Sequence, residues 1–433
     1  MENKKDVAGE NRDHSYFYSL ELEGINCFKD KQTLDLSDEN GNYSPWTIIL
    51  GDNGTGKTTL LRILDRMQPY EQVMDLRNRK SKVSLYCLNK IKKENFISDK
   101  LKVNFSIINN GKIIPLNIYS KKEGVFTPYP LRFSNIFLIS YGAARRMSRS
   151  TNISQTEKNE NKITSLFDES LELINAEEWF LQKEWASIKS EGITKLKFEN
   201  EFNLVKSILI DILPDVQDIQ SKPINENNSN PIFEVNTSFG WVNLRDLSFG
   251  YQTLTALIVD IASRMMDQYP KSNNPLEEPV IILIDEIDLH LHPKWQRTVI
   301  DKLSQHFPKA QFIATSHSPL IVQAALDKKA NIVVCRKEGD KVVIDNNPES
   351  VKGWRIDQIL TSDLFELSSS QSVNTEEIKS EKIKILLKSE LTDSDKERLD
   401  FINNKLNESP IFSTKEGINA EELIKKTAEL LKK

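Results

Sequence analysis

The sequence has few cysteines and no long apolar segment. Its 433 residues include three cysteines, which are odd in number and far apart at Cys27, Cys87 and Cys335. This pattern argues against a disulfide framework and favours a reducing compartment. No apolar run approaches the roughly 18 residues of a membrane span, and the polar first residues lack the apolar core of a signal peptide. We therefore predict a cytoplasmic protein without a membrane partner.

An excess of positive charge is also missing. Charged residues make up 28% of the chain and the formal net charge is −5, so the surface as a whole does not attract nucleic acid. A contact with DNA would need a local basic cluster, and Arg145, Arg146 and Arg149 form one in the sequence. The length suffices for one large domain or two ordinary domains with a substantial core.

A glycine-rich segment follows a short apolar run early in the chain. Residues 46–50 predict a strand, and Gly51–Thr58 matches the P-loop pattern of glycine, four residues and Gly-Lys-Thr. In this context the backbone N–H groups can face phosphates, Lys57 reaches the β and γ oxygens, and the Thr58 hydroxyl can ligate Mg²⁺. The predicted nucleotide-binding residues of this segment are Gly51, Asn53, Gly54, Gly56, Lys57, Thr58 and Thr59.

Two later segments add to this pattern. Val280–Glu286 is an uninterrupted apolar strand pattern that ends in two carboxylates, Asp285 and Glu286, which is typical of a Walker B motif. Leu247–Gln252 reads Leu-Ser-Phe-Gly-Tyr-Gln and resembles the LSGGQ signature of ABC-type ATPases, with Phe249 where that family usually has glycine. Taken alone, it could instead be a serine cap at the start of an ordinary helix.

The order of these motifs resembles ABC-type ATPases of the SMC and OLD branch over residues 16–335. In that family the signature of one subunit binds the γ-phosphate of ATP held by another, so Ser248 and Gly250 would complete a partner's site. The resemblance also implies that Asp285 and Thr58 hold Mg²⁺, that Glu286 polarises the attacking water, and that His317 contacts the γ-phosphate. ATP and Mg²⁺ are the implied ligands, and a homodimer or higher assembly is the implied form.

The segment after the predicted Walker B motif contains two closely spaced histidines. Asp288 matches a loop that crosses the dimer interface in the family, and His290 and His292 follow it. The two histidines could indicate a metal site. We expect a packing segment instead, because no cysteine is near and the neighbouring carboxylates already have roles in the ATP site.

The predicted lid loop departs from the family. Residues 136–149 occupy its place, where the family usually carries a glutamine near Mg²⁺, but no glutamine is present. Tyr141, Gly142 and Arg145 stand there instead. The family's lid contacts therefore cannot be assigned to particular residues of this chain.

The predicted fold class is α/β, with an ABC-type P-loop ATPase head that combines a mixed sheet and an N-terminal antiparallel β subdomain. Residues 166–220 show helical spacing and are too short for coiled-coil arms, so they predict a compact helical lobe whose aromatics, including Trp179, Phe180 and Trp185, form its core. The predicted domains are a disordered tail (1–15), the N-terminal half of the head (16–149), an inserted loop and helical lobe (150–235), the C-terminal half of the head (236–345) and a helical C-terminal extension (346–433).

The C-terminal region bears on whether the chain carries its own nuclease. OLD-type nucleases have a TOPRIM domain with a glutamate after one strand and Asp-x-Asp after another, and the candidates here are Glu338 with Asp393 and Asp395. Glu338 lies in a segment that predicts a hairpin turn, and Asp393 and Asp395 lie at a predicted helix start. We therefore expect no nuclease centre in this chain.

Several function classes remain open. A looser resemblance, based on compactness and residues 353–362, is to the stand-alone ATPase subunits of Septu-type anti-phage systems, which work beside a separate HNH nuclease. It implies an ATP-dependent dimerising switch that controls a nuclease partner. The alternatives are an SMC-like repair ATPase that binds DNA, an OLD-type nuclease with a degenerate TOPRIM tail, and a transporter motor, which the inserted lobe and long tail disfavour.

Overall fold

The structure, a computed structural model, forms two compact units that divide between Ile359 and Leu360. The predicted tail at 1–15 falls mostly outside the described residues, and its last residue, Ser15, begins the first strand. The predicted loop that begins at 150 also falls almost entirely outside them. The described residues are 14–67, 97–121, 124–126, 136–148, 165–222, 232–349, 351–365, 367, 372–388 and 392–407.

The first unit is a mixture of strands and helices. The strands are β1 (Ser15–Ile25), β2 (Gln32–Asp35), β3 (Trp46–Gly51), β4 (Ile97–Asn109), β5 (Lys112–Lys121), β6 (Gly124–Phe126), β7 (Leu138–Tyr141), β8 (Val216–Lys222), β9 (Ile232–Thr237), β10 (Gly240–Asn243), β11 (Val280–Ile284), β12 (Ala310–Thr315), β13 (Asn331–Glu338) and β14 (Lys341–Asp345). The helices up to the boundary are α1 (Lys57–Asp65), α2 (Ala176–Lys189), α3 (Gly192–Ile212), α4 (Phe249–Gln268), α5 (Pro293–Gln296), α6 (Val299–His306), α7 (Pro319–Asp327) and α8 (Ile356–Leu360).

A six-stranded sheet positions the predicted motifs. Its order is β14-β13-β3-β12-β11-β7, and all neighbours are parallel except β14, which pairs antiparallel with β13. Every residue of β7, β11 and β12 is buried, as expected for apolar runs in a parallel sheet covered on both faces. The carboxyl ends of these parallel strands meet at one edge of the sheet, where ligands bind in open α/β folds.

An antiparallel sheet packs beside this layer. Its order is β2-β1-β4-β5-β6, and Asn110 and Gly111, both with positive φ, form the turn between β4 and β5. Gln311 on β12 is fully buried and joins the two sheets, because its side chain accepts from the backbone N–H of Phe17 at 2.8 Å and donates to its carbonyl at 2.7 Å. The predicted N-terminal strands and the predicted fold class are confirmed.

The inserted region is not purely helical, which corrects the prediction for its end. Helices α2 and α3 lie where helical spacing places them, but Val216–Lys222 is a strand in the three-stranded sheet β10-β9-β8. Strand β8 pairs with β9, a partner that starts ten residues further on. Pairing with the following strand overrides a local helical pattern, because burial against that strand is decided only in the folded chain.

The aromatic residues of this lobe divide into two groups. Trp179 and Phe180 are buried, and the Phe180 ring stacks on Phe233 with 4.8 Å between centroids. Trp185 was predicted to belong to the core, but it is 64% exposed. The fully buried residues of α2 end at Phe180, and its later residues make polar contacts with neighbouring elements.

The second unit is a small helical hairpin. Helices α9 (Val373–Leu386) and α10 (Asp393–Asn407) enclose an apolar cluster of Ile378, Ile385 and Ile402. The predicted helical character of this region is therefore confirmed within the described residues, while Leu423 and Leu430 lie outside them. No helix in the described parts of the chain combines the length and apolar character that a membrane crossing needs.

Candidate nucleotide-binding site

The loop between β3 and α1 has a conformation that only glycine adopts easily. Gly51 has φ +139° and Gly56 has φ +83°. A Cβ atom on Gly51 would lie 2.4 Å from the carbonyl oxygen of Cys335, and one on Gly56 would lie 2.6 Å from the sulfur of Cys27. Gly54 also has positive φ, but the space where its Cβ would lie is open. The glycines therefore allow both the turn and its close packing against neighbouring strands.

Lys57 begins helix α1 and folds back over this loop. Its ammonium donates to the carbonyl oxygens of Gly51 at 2.8 Å and Asp52 at 2.9 Å. Burial lowers the pKa of Lys57, and the neighbouring carboxylates oppose that shift. Asn53 and Gly54 are exposed at the tip of the loop, and Thr58 and Thr59 are half-buried in the first turn of the helix. This is a cradle of N–H groups with a cation beside it, at the start of a helix.

The carboxylates after β11 meet this loop. The Thr58 hydroxyl donates to Oδ2 of Asp285 at 2.7 Å, and the Thr315 hydroxyl donates to Oδ1 of Asp285 at 2.5 Å. The backbone N–H of Glu286 donates to Oγ1 of Thr315 at 2.7 Å. Asp285 is buried, whereas Glu286 is half-buried. The oxygen donors of Thr58 and Asp285 are the hard ligands that Mg²⁺ prefers, so the site fits this ion together with nucleotide phosphates.

Thr315 is a site residue that the sequence analysis missed. It lies at the end of β12, two residues before His317, and it touches both predicted Walker B residues. Nothing in the sequence distinguishes its hydroxyl from that of Ser316. The sheet order, which sets β12 beside β11, selects Thr315.

Thr315→Val tests this link, because valine keeps the shape and removes the hydroxyl. We expect a loss of about 1–3 kcal/mol in the free energy of unfolding, since the N–H of Glu286 and one oxygen of Asp285 lose their partner. We also expect weaker Mg²⁺-dependent nucleotide binding. Chemical denaturation and nucleotide titration measure the two effects, with Thr315→Ser as the matched control that keeps the hydroxyl. Equal stability and equal affinity in Thr315→Val would contradict this role.

Arg145 is buried directly behind the Walker B residues. Its guanidinium donates to the carbonyl oxygens of Gly142 at 3.0 Å and Glu286 at 2.8 Å, and also to that of Asp285. Burial lowers the pKa of Arg145 to about 10, against the opposing effect of the nearby acidic residues. Arg145 was placed in a basic cluster that could contact DNA, which is wrong, because this side chain is only 5% exposed. Arg146 is exposed, and Arg149 lies outside the described residues.

The signature segment begins helix α4. Ser248 occupies the N-cap position, is exposed, and forms no side-chain capping bond. A Cβ atom on Gly250 would lie 2.5 Å from the carbonyl oxygen of His290. The ring of Phe249 packs edge-on against His290 with 4.7 Å between centroids. The signature therefore lies against the segment that follows Walker B, with its serine hydroxyl open to the surroundings.

The two histidines after Walker B have different local roles: His290 packs on a ring, as expected, whereas His292 caps a helix. His290 contacts Phe249, and Nδ1 of His292 accepts from the backbone N–H of Lys294 at 3.2 Å at the start of α5. Across the described ranges, no group of three or more His, Cys, Asp or Glu side chains could hold a metal ion. His317 is exposed, and its backbone N–H donates to Oδ1 of Asp288 at 3.3 Å. Its proposed contact with the γ-phosphate stays a prediction.

The nuclease candidates have the local structures that the sequence predicts. Glu338 pairs with Lys341 at the end of the β13–β14 hairpin, where Gly339 has φ +64°. Asp393 begins α10, and Asp395 accepts from the backbone N–H and the hydroxyl of Thr392. These carboxylates therefore belong to a turn and to a helix cap.

The fold and the site together define a P-loop nucleotide-binding protein of the ABC type. A family described as "AAA domain, putative AbiEii toxin, Type IV TA system" matches residues 47–323. The chain belongs to this family.

Individual relatives give further similarities. "Septu protein PtuA" of Bacillus mycoides (strain KBAB4) is 28% identical over 373 residues, which cover 84% of this chain and 47% of that protein. "Retron Vc95 probable ATPase" of Vibrio cholerae serotype O1 biovar El Tor is 47% identical over 92 residues, which cover 21% of this chain and 18% of that protein. The chain thus spans less than half the length of these relatives. The "SMC head domain from Thermotoga maritima" has 14% identity and a TM-score of 0.40, and the match covers 77% of this chain and 99% of that one.

Proposed function

We propose that this chain binds and hydrolyses ATP at sites shared between two copies, and acts as the ATPase switch of an anti-phage defence system. The observation that carries the ATPase proposal is the chain of contacts from Thr58 through Asp285 and Thr315 to Glu286. It joins the phosphate loop, the metal-binding carboxylate and the candidate base in one rigid unit at the carboxyl edge of the sheet. Family membership over residues 47–323 supports the same proposal.

Each residue has a role that follows from its place. The loop N–H groups and Lys57 hold the phosphates, with Lys57 exchanging its contacts to Gly51 and Asp52 for phosphate oxygens. Thr58 and Asp285 hold Mg²⁺, which supplies charge stabilisation at the transferred phosphoryl group. Glu286 accepts a hydrogen bond from the attacking water and orients it for in-line displacement. His317 senses the γ-phosphate.

A second copy would complete each site. Ser248 is exposed with its hydroxyl uncapped, so it is accessible to nucleotide bound by another subunit. Gly250 lets this turn lie directly against the carbonyl oxygen of His290. When nucleotide binding and closure of two copies share one equilibrium, each drives the other, and that coupling is what a switch needs.

The names of the relatives support the defence role. The Bacillus mycoides relative is a Septu protein, and the Vibrio cholerae relative is a retron ATPase. We propose that the partner controlled by this switch is a separate nuclease of the HNH type. A DNA clamp of the SMC type is less well supported, because Arg145 faces inward and adds no charge to the surface.

The test is purification of the chain with the product of its neighbouring gene, followed by measurement of Mg²⁺-dependent phosphate release. We expect a stable complex and ATP hydrolysis that EDTA abolishes. Absence of hydrolysis both alone and in the complex would refute the ATPase proposal. A neighbour that is a membrane permease or shows no nuclease activity would refute the proposed partner.

We expect the purified protein alone not to cut DNA, with or without Mg²⁺, Mn²⁺ and ATP. Metal-dependent cleavage needs a carboxylate cluster apart from the ATP site, and the candidates Glu338, Asp393 and Asp395 lie in a hairpin turn and a helix start. Plasmid nicking by the wild type is compared with Glu338→Ala and Asp393→Ala. Nicking that both substitutions eliminate would make the chain a nuclease in its own right.

A further inference from the structure

The loop after β7 carries a buried cation whose contacts go to the main chain. Arg145 donates to the carbonyl oxygens of Gly142, Asp285 and Glu286. Within the described residues, none of its hydrogen bonds goes to a carboxylate. Burying a guanidinium is unfavourable unless it is well hydrogen-bonded. The hydrogen bonds of Arg145 therefore fix the positions of these carbonyl oxygens.

The main chain that Arg145 holds is strained. Glu286 has φ +50° and His290 has φ +65°, in the left-handed region that side chains other than glycine rarely adopt. The carbonyl oxygen of Glu286 also accepts from the backbone N–H of Leu289 at 2.9 Å, which closes a turn directly after the candidate base. Such strain persists only where surrounding contacts impose it.

Glu286 is thus held at both of its peptide groups. Thr315 accepts from its N–H at 2.7 Å, and Arg145 donates to its carbonyl at 2.8 Å. The side chain itself is half-buried and is left available to a water molecule. A base that must orient water needs this kind of fixed geometry, because small displacements of a catalytic group lower the rate strongly.

The position of Arg145 is in turn set by the start of the inserted lobe. The backbone N–H of Leu173 donates to the carbonyl oxygen of the neighbouring Arg146 at 2.7 Å. The backbone N–H of Ser148 donates to the carbonyl oxygen of Leu173 at 3.0 Å. Gly142 has no room for a Cβ atom, which would lie 2.3 Å from the carbonyl oxygen of Ser165. The backbone around Arg145 is therefore held in place by contacts with residues 165 and 173.

From these contacts we propose that Arg145 is a positioning residue, which orients Glu286 for catalysis through its backbone. This rests on the proposed ATPase function. A cation in this place repels Mg²⁺, so Arg145 does not take over a metal contact from the lid glutamine. It holds the Walker B turn from behind, through the carbonyl oxygens of Asp285 and Glu286.

Arg145→Met tests the proposal, because methionine fills much of the same space and has no donor. We expect kcat for ATP hydrolysis to fall by roughly tenfold or more with KM changed by less than about threefold, as for loss of an interaction that matters mainly in the transition state. Arg145→Lys, which keeps one cationic donor, should recover part of kcat. Arg146→Met is the matched control, since that side chain is exposed, and it should leave both constants unchanged.

Hydrogen exchange of the 285–289 amides in the absence of nucleotide supplies a readout that does not depend on turnover. We expect exchange to be faster in Arg145→Met and unchanged in Arg146→Met, because the turn loses a contact that holds it closed. Unchanged exchange in Arg145→Met, or kcat within twofold of wild type, would overturn the proposal. A wild type that does not hydrolyse ATP but shows the faster exchange in the variant would refute the ATPase function and limit Arg145 to stabilising the turn.

Discussion

Glu286→Gln is expected to abolish turnover while ATP still binds. The amide keeps the shape of the carboxylate but loses the charge that orients water, so kcat should fall about a hundredfold or more, as for loss of other general bases. The contacts of Lys57 with the loop carbonyl oxygens and the contact of Thr58 with Asp285 do not involve this carboxylate. Closed dimers should therefore persist longer with ATP, which phosphate-release kinetics and gel filtration with nucleotide measure together.

The matched control for this substitution is Glu39→Gln, which makes the same chemical change at an exposed position outside the site. It should hydrolyse ATP at the wild-type rate. Near-wild-type hydrolysis by Glu286→Gln would show that another group orients the water. Loss of ATP binding in the same variant would show instead that Glu286 holds the nucleotide.

Mixing two inactive variants should restore activity if the sites are shared. Lys57→Ala removes the ammonium that we propose holds the phosphates, and Ser248→Arg puts a long charged side chain in place of the uncapped serine at the start of α4. Each variant alone should be inactive. In a mixed dimer, the P-loop of the Ser248→Arg copy faces an intact signature, so one of two sites works. With half of the dimers mixed, we expect about a quarter of wild-type activity.

The control for this experiment is Ser238→Arg, which introduces the same side chain at an exposed turn between β9 and β10. It should be active alone, and its mixture with Lys57→Ala should show no more than the activity of the active copies. Subunit exchange is verified with two differently tagged preparations. If exchange occurs and the two inactive variants remain inactive together, each site is completed within one chain.

The local sequence pattern was sufficient to predict the strands, the loop and the helix that carry the residues of the candidate nucleotide site. The run Trp46–Leu50 before a glycine loop predicts a buried strand, a phosphate loop and a helix, and the structure has β3, the loop and α1 at these positions. The two carboxylates follow β11 as expected. Gly51 and Gly56 can be recognised as constrained positions from the sequence, because no other residue adopts their backbone conformation without strain.

Features that depend on contacts between distant segments were not predictable in the same way. The strand at Val216–Lys222 has a helical local pattern, and only its pairing with β9 decides otherwise. Trp185 is an aromatic residue of the kind that usually lies in a core, yet its side chain is exposed on α2. Local spacing does not say which stretch of an amphipathic helix meets another surface.

The sequence by itself determined which residues could bind phosphate and metal, because short motifs report local backbone geometry. Tertiary structure alone decided that Thr315 links Asp285 to Glu286, and that Arg145 turns inward to their carbonyl oxygens. These residues come from strands and loops well over a hundred residues apart in some cases. Hydrogen bonds of this kind arise from the order of strands in the sheet, which brings the ends of β7, β11 and β12 together.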